Sequence, residues 1–71
     1  MRVNDMTTED MLSVLREEEQ RYRTEVDALQ RAIAALTAAG DPIADRMRSR
    51  LVVYQMLLGA VVVIRERTER I

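Results

Sequence analysis

The chain of 71 residues contains no cysteine and no histidine. Without cysteine it can form neither a disulfide nor a thiolate metal site. Without histidine it lacks the commonest metal ligand and the usual general base at neutral pH. Chains this short seldom bury a sufficient core alone, and are usually stabilised by disulfides, metals or association with other chains. Association is the route that this composition leaves open.

Lysine is also absent, because all eleven basic residues are arginine. This bias is typical of GC-rich coding sequences and predicts a bacterial or phage origin. The net charge of −1 provides no bulk attraction to nucleic acid or to an anionic membrane. The first ten residues contain no apolar signal stretch, so we expect a cytoplasmic protein.

No arrangement of side chains in the sequence is typical of an active site. The serines and threonines have no base or triad partner, and the two glycines lie nineteen residues apart, so no glycine-rich phosphate loop is present. The acidic run Glu17, Glu18 and Glu19 points in directions about 100° apart on a helix and lacks the histidines of di-iron bundles. We therefore expect a non-catalytic protein with no cofactor and no metal.

Glycine and proline are scarce, so their positions are informative. Gly40, Asp41 and Pro42 stand together and predict a helix break, with a left-handed C-cap, an N-cap and a first helical turn in that order. Helix 1 is predicted at about residues 8–39, after a short arm at 1–7 and with Thr7 and Asp10 as its capping pair. Helix 2 is predicted at about residues 42–69. The turn at 40–41 is short, so the helices should be antiparallel neighbours.

Helix 1 carries an apolar seam in which residues recur at alternating spacings of three and four, as in coiled coils. The seam consists of Leu12, Leu15, Tyr22, Val26, Leu29, Ile33 and Leu36, and Glu19 interrupts it. The corresponding seam of helix 2 contains Leu51, Tyr54, Leu58 and Val61, and Arg65 interrupts it.

Folding back at the turn brings Glu19 within a turn of Arg65. The two breaks have opposite charge, so they are a candidate structural ion pair, and the alternative is that the helix ends splay and both groups are solvated.

The longest apolar block runs from Leu51 to Ile64, and Gln55 is its only strongly polar side chain. A helix of fourteen residues spans roughly 21 Å, which is short of the roughly 30 Å hydrocarbon thickness of a bilayer. We therefore expect no membrane span. Six of these residues are valine or isoleucine, so two strands are the alternative, but Gly59 alone is a poor hairpin turn. In the first half of the chain, an acidic residue is followed four positions later by an arginine three times, which favours a helix. The pairs are Glu17 with Arg21, Glu19 with Arg23, and Asp27 with Arg31.

A helix that is apolar on all sides must be covered on all sides. Helix 1 can cover one stripe of helix 2, and the remaining apolar residues form a predicted oligomer interface: Val52, Val53, Met56, Leu57, Ala60, Val63 and Ile64. The predicted fold is thus an all-α antiparallel hairpin that self-associates into a four-helix bundle or a larger helical oligomer. The function expected from it is that of a small non-catalytic homo-oligomeric binding or assembly protein, acting through protein–protein contacts.

An alternative function is a ligand-binding oligomer that sequesters an anionic molecule, a nucleotide or RNA, between chains. Its candidate residues are Arg31, Arg46, Arg50, Tyr22 and Tyr54. Arginines can bind phosphates through charged hydrogen bonds, and tyrosines can stack on bases. The competing interpretation is that the arginines solubilise the region beside the apolar block and that the tyrosines pack in the seam.

Overall fold

The structure is a computed structural model and describes residues 7–70. These residues form two helices, α1 (Thr8–Ala38) and α2 (Ile43–Glu69), which pack against each other as a hairpin. The predicted helical hairpin is confirmed, and the strand alternative for the apolar block is wrong. Residues 1–6 of the predicted arm lie outside the described residues.

The start of α1 is a reciprocal capping box. The Thr7 Oγ1 accepts a hydrogen bond from the Asp10 backbone N–H at 3.1 Å, and Asp10 Oδ2 accepts one from the Thr7 N–H at 3.2 Å. Both donors lack partners within the helix, so the two side chains satisfy groups that would otherwise depend on water. The predicted cap is therefore confirmed.

The turn after α1 depends on Gly40, which has a φ of +69°. The Gly40 N–H donates to the Thr37 carbonyl at 3.0 Å, and the Asp41 N–H donates to the Leu36 carbonyl at 2.9 Å. This pair of bonds is the Schellman arrangement, in which a left-handed residue closes the last helical turn. The N-cap position of α2 is taken by Pro42 and not by the predicted Asp41, although Asp41 Oδ1 accepts a hydrogen bond from the Ile43 N–H at 3.0 Å.

The two helices meet along the predicted seam. Leu29 is buried, and every other seam residue of α1 is half-buried, including Glu19. On α2 the half-buried residues include the predicted Leu51, Tyr54 and Leu58. The structure adds Ala44 and Thr68 as buried seam members near the two ends of α2, which the sequence pattern did not predict.

The hairpin is one helix layer thick. Its extents are 54 × 26 × 14 Å, and a single helix with its side chains is about 10–12 Å across. No large side chain among the described residues is completely buried, and Leu29 remains 6% exposed. A single layer has an inner seam but no enclosed core, so most apolar side chains of α2 outside the seam face solvent.

The charge pairs expected along α1 are present, with one change. Arg23 lies 2.8 Å from Glu19, and Arg31 lies 2.8 Å from Asp27, both at i, i+4. Arg21 pairs with Glu18 at 3.2 Å instead of with Glu17, because an i, i+3 partner is equally close on a helix surface.

Candidate functional site

The candidate site is the outer side of α2, which we call the α2 apolar surface and define by seven residues. All seven are exposed in the hairpin, and Met56 is the most exposed at 70%. They are Val52, Val53, Met56, Leu57, Ala60, Val63 and Ile64. The structure therefore leaves uncovered the residues that the sequence pattern assigns to an oligomer interface.

Helical geometry explains why these residues stay outside. The seam takes Leu51, Tyr54 and Leu58 at spacings of three and four, and residues between them rotate away from α1 by about 100° per position. Since α1 is the only helix available to the described residues, the other side of α2 has no neighbour. Gly59 is also exposed on α2, and nothing stands within 4 Å of where its Cβ would be.

Charged residues border the α2 apolar surface at both ends. Arg46 and Arg50 lie before it, and Glu66 and Arg67 lie after it. Within residues 7–70 none of these four side chains has an oppositely charged partner, and all are exposed. An apolar centre with a charged border is the usual layout of a protein–protein interface.

Glu19 and Arg65 are brought together inside the seam. Arg65 Nε donates to Glu19 Oε1 at 2.5 Å, and the two side chains are only 21% and 13% exposed. Arg23 also contacts Glu19, and Arg65 also pairs with Glu69. The hydrogen bond from Arg65 lowers the pKa of Glu19, and the same bond raises the pKa of Arg65. The group is a local four-residue network that joins α1 to the last turns of α2.

The residues suggested for anion binding have other contacts in the hairpin. The Tyr22 and Tyr54 rings pack on each other with centroids 6.1 Å apart and planes tilted by 54°, and both are half-buried in the seam. Arg31 is paired with Asp27. Arg46 lines an open concavity at the turn that it shares with Asp41, whose carboxylate would repel an anion.

Arg48 has a structural role that the sequence pattern did not reveal. Its guanidinium donates to Thr37 Oγ1 on α1 at 2.8 Å and to Asp45 Oδ1 on α2 at 2.6 Å. Arg48 therefore joins the two helices near the turn. Its position inside the basic stretch of residues 46–50 concealed this contact, because a sequence does not show how far a long side chain reaches across a turn.

One helix among the described residues, α2, is long and apolar enough to cross a membrane by length and composition, with a mean hydropathy of 1.5 over 18 residues. The uninterrupted block from Leu51 to Ile64 has only fourteen residues. An 18-residue window that contains it must therefore include flanking arginine, which is costly at the centre of a bilayer and is tolerated only near its edge.

Comparison with protein-family models finds no match, and comparisons with curated proteins and with solved structures find none either.

Proposed function

We propose that this chain is a small, non-catalytic binding or assembly protein of the cytoplasm that acts through protein–protein contacts, and that it self-associates through the α2 apolar surface. The observation that carries the proposal is the exposure of all seven residues of that surface on one side of one helix. Soluble monomers rarely expose a contiguous apolar patch of this kind without a partner.

The energetics of the hairpin support association. Burying one Val, Leu, Ile or Met side chain contributes roughly 1.5–3 kcal/mol, and six large residues of the surface still have 40% or more of their area exposed. Covering them on two chains would contribute roughly 10 kcal/mol or more. Because association itself costs roughly 4–15 kcal/mol, a contact of this size is of the order that a stable dimer requires.

A membrane is a less suitable environment for α2 than another protein chain. α1 packs against α2, and its exposed side chains include the charged Arg23, Arg31 and Asp27. To insert into a bilayer, α2 would have to carry these charges with it or leave α1, losing the contact between Glu19 and Arg65. Association with protein retains both helices as they are.

Sedimentation velocity on the full chain tests the proposal. We expect a dimer or a larger particle at micromolar concentration, with far-UV circular dichroism typical of helix. Leu57→Arg should shift the particle to a smaller species, because it places a charge in the centre of the surface. Gln30→Arg is the matched control, since it adds the same charge on the exposed side of α1. A stable folded monomer of the unmodified chain would refute the proposal, as would an assembly unaffected by Leu57→Arg.

A thermal-shift measurement separates protein association from anion sequestration. Anything that binds the folded state raises its melting temperature as its concentration increases. We expect no increase with ATP, GTP or a short single-stranded RNA, because Tyr22, Tyr54 and Arg31 already have partners within the hairpin. If the melting temperature rises with ligand concentration, and Arg46→Ala or Arg50→Ala abolishes the rise, the proposed function changes from protein association to anion binding.

A further inference from the structure

We propose that the contact between Glu19 and Arg65 selects which side of α2 packs against α1, and that it thereby determines which apolar residues α2 presents to a partner. The selection concerns the hairpin alone, whereas its consequence for association rests on the proposed function. Glu19 and Arg65 are accordingly positioning residues for the α2 apolar surface, although neither belongs to it.

The apolar pattern of α1 specifies a single packing side. From Leu15 to Leu36 every large apolar side chain of α1 lies in the seam, and the other positions carry charged, polar or alanine residues. A helix with one apolar stripe buries that stripe against its neighbour. The rotation of α1 about its own axis therefore follows from its sequence.

α2 has no unique packing side within its apolar block. Two sets of four apolar residues recur there at spacings of three and four, and they lie next to each other around the helix. The seam contains Leu51, Tyr54, Leu58 and Val61, and the neighbouring set is Val53, Leu57, Ala60 and Ile64. Rotating α2 by one residue position, about 100°, would turn the second set toward α1. Apolar burial within the block leaves both rotations available.

Glu19 distinguishes the two rotations. Its side chain lies on the seam, is 13% exposed and accepts a hydrogen bond from Arg65 Nε at 2.5 Å. In the competing rotation Ile64 would stand opposite Glu19 and Arg65 would turn away, and a carboxylate that loses its partner in a partly buried position is strongly unfavourable. Arg23 contacts Glu19 in either rotation because both belong to α1. Arg65 is therefore the partner that differs between the two.

The opposite rotation is disfavoured by the residues that it would bring into the seam. One position later than the seam residues of α2 are Gln55, Gly59 and Glu66. Glu66 would then face Glu19, and like charges in proximity oppose ionisation of both carboxylates. The competing rotation that matters is consequently the one that buries Leu57 and Ile64.

Contacts near the turn agree with the observed rotation but select it less strongly. Arg48 joins Thr37 at 2.8 Å, yet its side chain is 49% exposed, and exposed polar contacts contribute little. Arg50 would approach the seam in the competing rotation. A long arginine on a hairpin one layer thick can extend its guanidinium to solvent. The pair of Glu19 and Arg65 therefore carries most of the selection.

The selection changes what a partner would meet. In the observed rotation Val53, Leu57 and Ile64 are exposed. In the competing rotation these residues would pack on α1, and Tyr54 and Leu58 would face outward instead. A contact within the hairpin thus determines the composition of the surface through which the chain is proposed to associate.

The two tyrosines provide a direct measurement of the rotation. Tyr22 and Tyr54 are the only aromatic residues of the chain, and their ring centroids are 6.1 Å apart in the observed rotation. Their ring protons should give a nuclear Overhauser cross-peak that no other aromatic pair can produce. The competing rotation carries Tyr54 out of the seam and removes the cross-peak. Isotope-filtered spectra of mixed labelled and unlabelled chains establish that the cross-peak arises within one chain.

Exchanging two adjacent residues of α2 tests the selection without changing composition. Ile64→Arg combined with Arg65→Ile moves the arginine to the position that faces Glu19 in the competing rotation. We expect this variant to remain helical by far-UV circular dichroism and to lose the cross-peak between the tyrosines. A cross-peak that persists in the helical exchange variant overturns the inference.

Replacing both members of the pair by leucine removes the selection. Glu19→Leu with Arg65→Leu should melt at the same temperature as the unmodified chain or higher, since well-packed apolar residues often replace a buried ion pair without loss. A second set of tyrosine signals should nevertheless appear, because both rotations become populated. If the exchange variant is not helical, this double leucine variant decides the question. A single set of signals with the cross-peak retained overturns the inference and leaves the proposed function intact, which sedimentation of the unmodified chain tests separately.

Two further variants separate selection from a general effect of substitution. Glu17→Leu with Arg67→Leu makes the same two changes at exposed positions and should retain one set of signals. Arg65→Lys keeps the positive charge opposite Glu19 and should also retain the cross-peak. A second set of signals in either variant would contradict the role given to the pair.

Discussion

Leu29 and Met56 are the least and the most exposed large apolar side chains that the structure describes, at 6% and 70%. Truncating each to alanine therefore separates the stability of the hairpin from the affinity of its association. Leu29 lies in the middle of the seam, so Leu29→Ala removes buried methyl groups and leaves a cavity. A change of this kind costs roughly 2–5 kcal/mol.

The cost at Leu29 is large compared with the total stability. A folded chain of 71 residues has a free energy of unfolding of roughly 4–11 kcal/mol. We therefore expect Leu29→Ala to lower the urea midpoint strongly, or to leave the chain largely unfolded at room temperature, as followed by far-UV circular dichroism.

Met56→Ala should act on association. In the isolated hairpin it removes little buried area, and alanine is the better helix former. Met56 is 70% exposed in the isolated hairpin, and in the dimer this exposed part is in contact with the partner. Met56→Ala removes that contact, which contributes roughly 1–2 kcal/mol of binding free energy for each chain. For two chains the dissociation constant should increase roughly thirty- to several-hundred-fold.

The assay compares sedimentation equilibrium with urea unfolding for both variants. The expected result is that Met56→Ala retains its helix content at high concentration while its dissociation constant rises, and that Leu29→Ala loses more stability than Met56→Ala. A dissociation constant for Met56→Ala within threefold of the unmodified value would refute the assignment of the α2 apolar surface. Equal tolerance of the two variants toward urea would refute the assignment of the seam.

Three further changes test individual contacts. Because the hydrogen bond from Arg65 lowers the pKa of Glu19 in the folded state, this bond stabilises the fold above the ordinary glutamate pKa of about 4.3 and is lost as the pH falls through the folded value. Urea midpoints measured from pH 7 to pH 3 should show this loss, Glu19→Gln should reduce the slope, and Glu17→Gln should leave it unchanged. Gly40→Ala should lower the free energy of unfolding by about 1 kcal/mol, because the φ of +69° is strained for alanine although the space is open. Thr7→Ala should lower it by about 1 kcal/mol through loss of the cap, and no loss in thermal unfolding would contradict the role of that cap.

Much of the fold could be predicted from the sequence because the deciding features are local. The seam spacing on α1 specifies which side packs, and the residues from Gly40 to Pro42 specify where the chain reverses. The predicted start of α2 at about residue 42 differs by one residue from the observed start at Ile43. The N-cap shifts by one residue as well, from the predicted Asp41 to Pro42, while Asp41 still accepts a hydrogen bond from the Ile43 N–H.

The candidate site was less accessible to sequence analysis, since it depends on what the first helix leaves uncovered. The spacing of residues on either side of the turn predicts that Glu19 and Arg65 lie at the same level. Whether their side chains touch depends on how each helix is rotated about its own axis, which the spacing does not specify. The same rotation brings Tyr22 against Tyr54 and buries Ala44 and Thr68. A single alanine or threonine next to the seam does not predict burial, because both residue types are common at exposed helix positions as well.

The sequence by itself determined that this chain forms two helices joined by a tight turn, that one side of each helix is apolar, and that α2 has more apolar surface than one neighbour can cover. Apolar periodicity and turn-forming residues are local properties of the amino-acid sequence, so both can be recognised without a structure. Only the tertiary structure decided which residues remain outside. The hairpin is one layer thick, and a layer formed by two helices can bury one stripe of α2 while the opposite side stays open to solvent.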